Sequence, residues 1–194
     1  SPRIGAASVT WMATPTNGQA PGRDRDARRG KRSRVPIRVE SETFVGGAFI
    51  ERMLYDAVDE PGTLSPRQLH DAYEAELRAV IDAHGAETVA DETGLSTERL
   101  AELADGDSPP LTLSEAASIL AIDTDLDAET IVQEVRDHLL MGMTTGVLDV
   151  DTIASNIDLD LSGQEVQQAI EGRIRLRLVE LAAIHNYVAG RNAR

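Results

Sequence analysis

Residues 89–120 read VADETGLSTERLAELADGDSPPLTLSEAASIL, and this stretch decides the fold. Residues 86–93 predict a short helix stopped at Gly94, because glycine takes a left-handed turn at no steric cost. Ser96 then caps a second short helix over residues 97–104, its hydroxyl accepting an otherwise orphaned backbone N–H. Asp105-Gly106-Asp107-Ser108-Pro109-Pro110 reads as a loop. Thr112 or Ser114 starts a third helix, with Ala116, Ala117, Ile119, Leu120 and Ile122 as its apolar positions.

The composition around this stretch agrees with an all-α class. Aromatic residues make up only 3% of the 194-residue chain. Ala, Leu, Ile and Val must therefore build the core, which suits small packed helices better than a β-sandwich. The chain has no cysteine, so disulfides, zinc fingers and thiol nucleophiles are excluded. No apolar run approaches the length of a membrane span, so no membrane partner is expected.

Charge divides the chain. Residues 1–52 hold ten Lys/Arg and five Asp/Glu, whereas residues 53–194 hold nine Arg, no Lys and 28 Asp/Glu, net −19 within a total of −14. An acidic body that uses arginine and avoids lysine suggests a salt-adapted cytosolic protein. Its self-repulsion is screened where the Debye length falls to about 3 Å, near 1 M salt. An acidic surface that binds a basic partner is the alternative. Residues 1–43 lack apolar periodicity, and residues 23–38 are arginine-rich, so a disordered basic tail is expected. No aromatic residue interleaves this run to stack on bases. The Arg28-Arg29 pair is no export signal, because the following apolar piece is short and holds two glycines. Segment 1–52 is expected to lie outside the domain that begins near Met53.

From there the chain reads as helices. Residues 54–58 are a short apolar piece closed by Glu60-Pro61-Gly62. Ser65 and Pro66 open a helix that carries Leu69, Tyr73, Leu77, Val80 and Ile81 and closes at His84-Gly85. Asp127 caps a four-turn helix over residues 128–143, with Ile131, Val132, Val135, Leu139, Leu140 and Met143 apolar. The small-residue stretch Met141 to Gly146 suits close helix packing. The pattern of the opening stretch then returns. Asp151-Thr152-Ile153-Ala154 repeats Glu87-Thr88-Val89-Ala90, Val166 repeats Leu100, Gly172 repeats Gly106, and residues 178–184 repeat 113–119. The changing offset implies two extra residues in the second copy's turn and one fewer in its loop. The last helix is expected over residues 176–189, with Gly190 as its C-cap. Three regions follow: a basic segment 1–52, a first helical unit 53–126 and a second unit 127–194.

Val89-Ala90, Thr93-Gly94-Leu95-Ser96, Leu100, Leu103, Gly106, Leu113 and the helix at residues 116–120 resemble the Cro/lambda-repressor type of helix-turn-helix domain. The second copy resembles it in degenerate form, with Asn156-Ile157-Asp158-Leu159-Asp160-Leu161 in place of the glycine turn. Residues 53–194 are also similar to an uncharacterised family of salt-loving archaea, a domain of unknown function. That resemblance implies salt adaptation and a domain start near Met53, and no activity.

The helix-turn-helix resemblance places recognition on the exposed face of each second helix, the one that would enter the major groove. In the first copy Ser96, Thr97, Glu98 and Glu102 would face the duplex, and two carboxylates suit phosphates badly. In the second copy the candidates are Ser162, Gln164, Gln167 and Gln168. Glutamine can bond adenine N6 and N7 together, and Arg173, Arg175 and Arg177 follow as phosphate contacts.

Other constellations carry less. Asp123-Thr124-Asp125-Leu126-Asp127 with Glu134 approaches a calcium loop, but Ala128 stands where its glycine belongs. Asp158 to Gly163 has that glycine and lacks the closing glutamate, because Ala169 stands there. His70, His84, His138 and His185 show no metal-ligand spacing and are expected to be structural. There is no G-x-S-x-G, P-loop or G-x-G-x-x-G. The expectation is an all-α, non-enzymatic, cytoplasmic regulatory protein without cofactor. It would touch DNA through the second copy or, alternatively, serve as a protein-interaction scaffold.

Overall fold

Ser65 and Pro66 start the first long helix, as their chemistry requires. The computed structural model describes residues 53–194; the expectations for 1–52 lie outside the described residues. Helix α1 spans Pro66–His84, with a capping box between Ser65 and Gln68, and ends at Gly85, whose φ is +86°. Helix α2 is Ala86–Thr93, closed by Gly94 at φ +72°. Helix α3 is Thr97–Asp105, capped by Ser96 and closed by Gly106 at φ +93°. Helix α4 is Leu113–Leu120, and its start is settled by a capping box between Thr112 and Glu115.

The same order follows again. Helix α5 is Ala128–Thr145 behind Asp127, α6 is Val150–Asn156 behind Asp149, α7 is Gly163–Ile170 behind Ser162, and α8 is Leu178–Asn192. Short 3-10 turns sit at Leu54–Asp56, Pro61–Thr63 and Ala121–Asp123. The described residues are thus all-α. None of their helices is long and apolar enough to cross a membrane.

The two four-helix halves match in packing as well as order. Leu69, Tyr73, Leu77 and Ile81 are the buried i, i+4 stripe of α1, and Ile131, Val135, Leu139 and Met143 stand at the same positions in α5. Between the halves, Leu113 N–H donates to the Leu176 carbonyl at 2.8 Å and Leu178 N–H donates to the Leu111 carbonyl at 2.8 Å. Exchanging the copies turns one bond into the other, as a local two-fold axis through Thr112 and Arg177 demands. The buried side chains of both halves form one hydrophobic cluster.

Helix α5 runs two residues past the expected 143, to Thr145, and both ends of α8 differ from the sequence expectation. Helix α8 starts at Leu178, not 176, because Leu176 is spent in the bridge to Leu113. It also runs through Gly190 to Asn192, so Gly190 is no cap. Its bare Cα faces Gly62, where a side chain at position 62 would lie 2.5 Å from Gly190 Cα. The small residues of α5 do bring helices close: a Cβ at Gly142 would stand 2.6 Å from Val188 Cγ1, and one at Gly146 would stand 2.6 Å from Asn192 Oδ1.

Candidate functional site

Helix α7 is held by its buried face and its cap. Val166, Ala169 and Ile170 enter the core. Gly163 lets the first turn lie against Asp151 of α6, since a Cβ there would meet the Asp151 carboxylate and lie 3.1 Å from its Cα. Ser162 Oγ accepts the Glu165 N–H at 3.2 Å, and Glu165 Oε2 accepts the Ser162 N–H at 2.9 Å. These bonds to the Ser162 hydroxyl and N–H hold the Glu165 carboxyl below the usual carboxylate range. The hydroxyl of Ser162 is therefore committed to the helix start.

The outer face carries the glutamines. Gln164 and Gln167 are exposed and Gln168 is half-buried. The Gln168 carbonyl accepts the N–H groups of Arg173 at 2.8 Å and Ile174 at 3.3 Å, which folds the following loop back onto the helix end. Arg173 and Arg175 are exposed in that loop. Glu171 stands among them: its carboxylate accepts from Gln167 Nε2 at 2.9 Å and pairs with Arg173 Nε at 3.0 Å. Arg177 is drawn away to Glu180, with Nη2 to Oε1 at 2.7 Å.

One residue of this face was not foreseen. Arg136 of α5 lies under Gly172, where a Cβ would stand 2.6 Å from its guanidinium. Its Nε is buried without a hydrogen-bond partner. Nothing near Arg136 in sequence signals this, because the contact spans α5 and the loop after α7. In the first copy the corresponding helix α3 exposes Thr97, Glu98 and Glu102, an acidic face as expected.

Two of the histidines stand apart and two meet. His84 Nε2 is 3.2 Å from Asp123 Oδ1. His185 is buried, its Nδ1 2.6 Å from the Tyr73 hydroxyl across two helices. His138 stacks on Tyr55 at 4.3 Å and meets His185 edge-on at 5.1 Å. Burial, and then the neighbouring His138, push His185 down to about 4. Burial also lowers His138, partly offset by Asp56. Burial raises the Tyr73 phenol. Both imidazoles line an open cavity of about 600 Å³ whose rim carries Asp56, Asp59 and Glu60. A histidine held neutral this far down is a poor general base near neutrality. His70 stands beside Glu74, with Nε2 to Oε1 at 3.8 Å.

The calcium-like acids are used otherwise: Asp127 accepts the Thr130 N–H at 2.8 Å as a helix cap. Residues 69–191 match a family described as a family of unknown function, DUF5791. No curated protein and no solved structure matches the chain.

Proposed function

We propose that this chain, which belongs to the family of unknown function DUF5791, is a non-enzymatic cytosolic regulatory protein of helix-turn-helix descent. In this reading it contacts DNA through α7 and the loop that follows. The observation that carries the reading is the uncovered face on which Gln164 and Gln167 stand exposed, with Arg173 and Arg175 exposed just beyond them. Glutamines on the outer side of a short helix can reach adenine edges in the major groove. Arginines in the adjoining loop can hold phosphates. Arg136, with its Nε unpaired beneath Gly172, adds positive charge at the same place. Glu171 opposes an anionic ligand locally, and its bonds to Gln167 and Arg173 must open on contact.

The net charge of the body, −19, repels a polyanion in dilute salt. In molar salt that repulsion is screened, and so is the counterion-release term that dominates ordinary DNA affinity. Direct contacts to bases then carry the binding. The sparing use of lysine and the acidic surface fit such a salt-adapted protein.

The test is retention on sheared genomic DNA in molar KCl. Loss of a bidentate base contact costs about 1–3 kcal/mol, so Gln164→Ala/Gln168→Ala is expected to weaken retention by roughly tenfold. Arg173→Ala/Arg175→Ala is expected to weaken it on every sequence alike. Equal retention of wild type and both variants would reject the DNA reading.

A protein-interaction module is the second reading, favoured by one observation. Leu140, Met141 and Val147 are 43%, 70% and 91% exposed near the end of α5. Val147 also holds a left-handed φ of +52°, a conformation costly for a β-branched side chain. If this apolar edge joins two copies, sedimentation should show a concentration-dependent dimer that Met141→Lys/Val147→Lys abolishes. A monomer at every concentration counts against it.

A further inference from the structure

We infer that His70, Asp71 and Glu74 form a binding site for a divalent transition-metal ion of the zinc type. One ligand atom from each residue lies within 4.8 Å of the other two. His70 and Glu74 are one helical turn apart on α1, so both side chains rise from the same side of the helix. Their Nε2 and Oε1 atoms are 3.8 Å apart. Ligands about 2.0–2.2 Å from a tetrahedral ion are separated by roughly 3.4 Å, so a small torsional adjustment brings the pair into range. Asp71 is exposed and supplies a third ligand from the solvent side. The fourth position remains open to water.

The burial of Glu74 is compatible with a cation at this place. This carboxylate is only 3% exposed on a helix stripe that otherwise buries Leu69, Tyr73, Leu77, Val80 and Ile81. Its partners are the Ser108 hydroxyl, which donates to Oε1, and the imidazole of His70. Glu74 has one hydroxyl donor and the imidazole beside it, and a cation shared with His70 would compensate the charge of this buried carboxylate further. Ser108 arrives from the α3–α4 loop and fixes the orientation of the Glu74 oxygen, the usual work of a residue behind a metal ligand.

The second copy shows that the fold does not need this arrangement. At the corresponding places on α5 stand Val132, Gln133 and Arg136. The repeat therefore packs without a histidine or a carboxylate there, and the cluster belongs to the first copy alone. An imidazole with two carboxylates and no thiolate suits Zn²⁺, Co²⁺ or Mn²⁺ better than Ca²⁺, which prefers six to eight oxygen ligands.

The experiment is titration of the full chain, freed of metal by chelation, with ZnCl₂ in a calorimeter and with CoCl₂ by absorption. The expected result is one Zn²⁺ per chain. His70→Gln and Glu74→Gln should each weaken it at least tenfold, while His84→Gln leaves it unchanged. Cobalt should give the visible bands of a low-coordinate nitrogen- and oxygen-ligated ion, and they should vanish in His70→Gln. Zn²⁺ should also raise the unfolding midpoint of the wild type and not that of His70→Gln, whose half-buried side chain can be changed without opening the core. Equal Zn²⁺ affinity in wild type and His70→Gln would overturn the assignment. So would stoichiometry well above one with no dependence on residue 70, which would mark diffuse binding to surface carboxylates.

Discussion

Gly62→Ala is expected to destabilise the protein by about 3 kcal/mol, the upper part of the range for forced overpacking. The reason is the neighbour, not the backbone angle. A methyl group at residue 62 would lie 2.5 Å from Gly190 Cα and 2.7 Å from the Ala189 carbonyl carbon. Both belong to the backbone of α8 and cannot rotate aside. The turn at Pro61–Thr63 would have to lift from α8. Lifting it breaks the bonds from Asn186 Nδ2 to the carbonyls of Pro61 at 2.7 Å and Leu64 at 2.8 Å. It also loosens Met53 and Leu54, which are buried just before that turn. Urea unfolding followed by circular dichroism should show the midpoint fall. The converse change supplies the control: a Cβ at Gly190 meets only the Gly62 carbonyl oxygen at 3.3 Å and more distant atoms. Gly190→Ala should therefore stay within about 1 kcal/mol of wild type, helped by alanine's helix propensity. Similar losses in both variants would mean that close approach is not what position 62 requires.

Acidification should weaken the fold well before its carboxylates titrate. His185 sits near pKa 4 in the folded protein, against about 6.5 in an unfolded chain. The unfolded state binds the proton first, so stability is complete above pH 6.5 and is lost as the pH falls toward 4. Between pH 7.5 and 5 the loss from this one group is about 2 kcal/mol by linkage. His138, also lowered by burial, adds in the same direction. Urea midpoints across that range measure the slope. Replacing the bonded pair by Tyr73→Phe/His185→Phe removes the titrating group and the hydroxyl that faces it. The double variant should lose the part of the slope that His185 supplies, while His138 still contributes in the same direction. An unchanged slope would show that His185 does not govern the acid response.

Much of the architecture is legible in the sequence. Ser65, Ser96 and Asp127 cap their helices as their side chains predict, Thr112 rather than Ser114 caps α4, and Gly85, Gly94 and Gly106 hold positive φ. The repeat was visible because each copy must bury the same face. The glutamines of α7 were readable as a surface for the same reason: Val166, Ala169 and Ile170 claim the inside, and Gln164 and Gln167 are left outside. The histidines resisted this treatment. Spacing among the histidines themselves gives no metal pattern. Yet Glu74, beside His70, meets a hydroxyl brought from the α3–α4 loop, and His185 meets Tyr73, 112 residues away.

Local patterning along the chain accounts for the helices, most of their caps, the two-copy plan and the side each helix turns to water. These follow from interactions among residues three or four apart, which a linear pattern records. Which helices touch is set by packing across the fold. It set Arg136 beneath Gly172, closed Gly62 onto Gly190, buried Glu74 beside His70 and joined the copies through Leu111, Leu113, Leu176 and Leu178. Such contacts depend on how side-chain volumes pack between elements distant in the chain, and no local periodicity encodes that geometry.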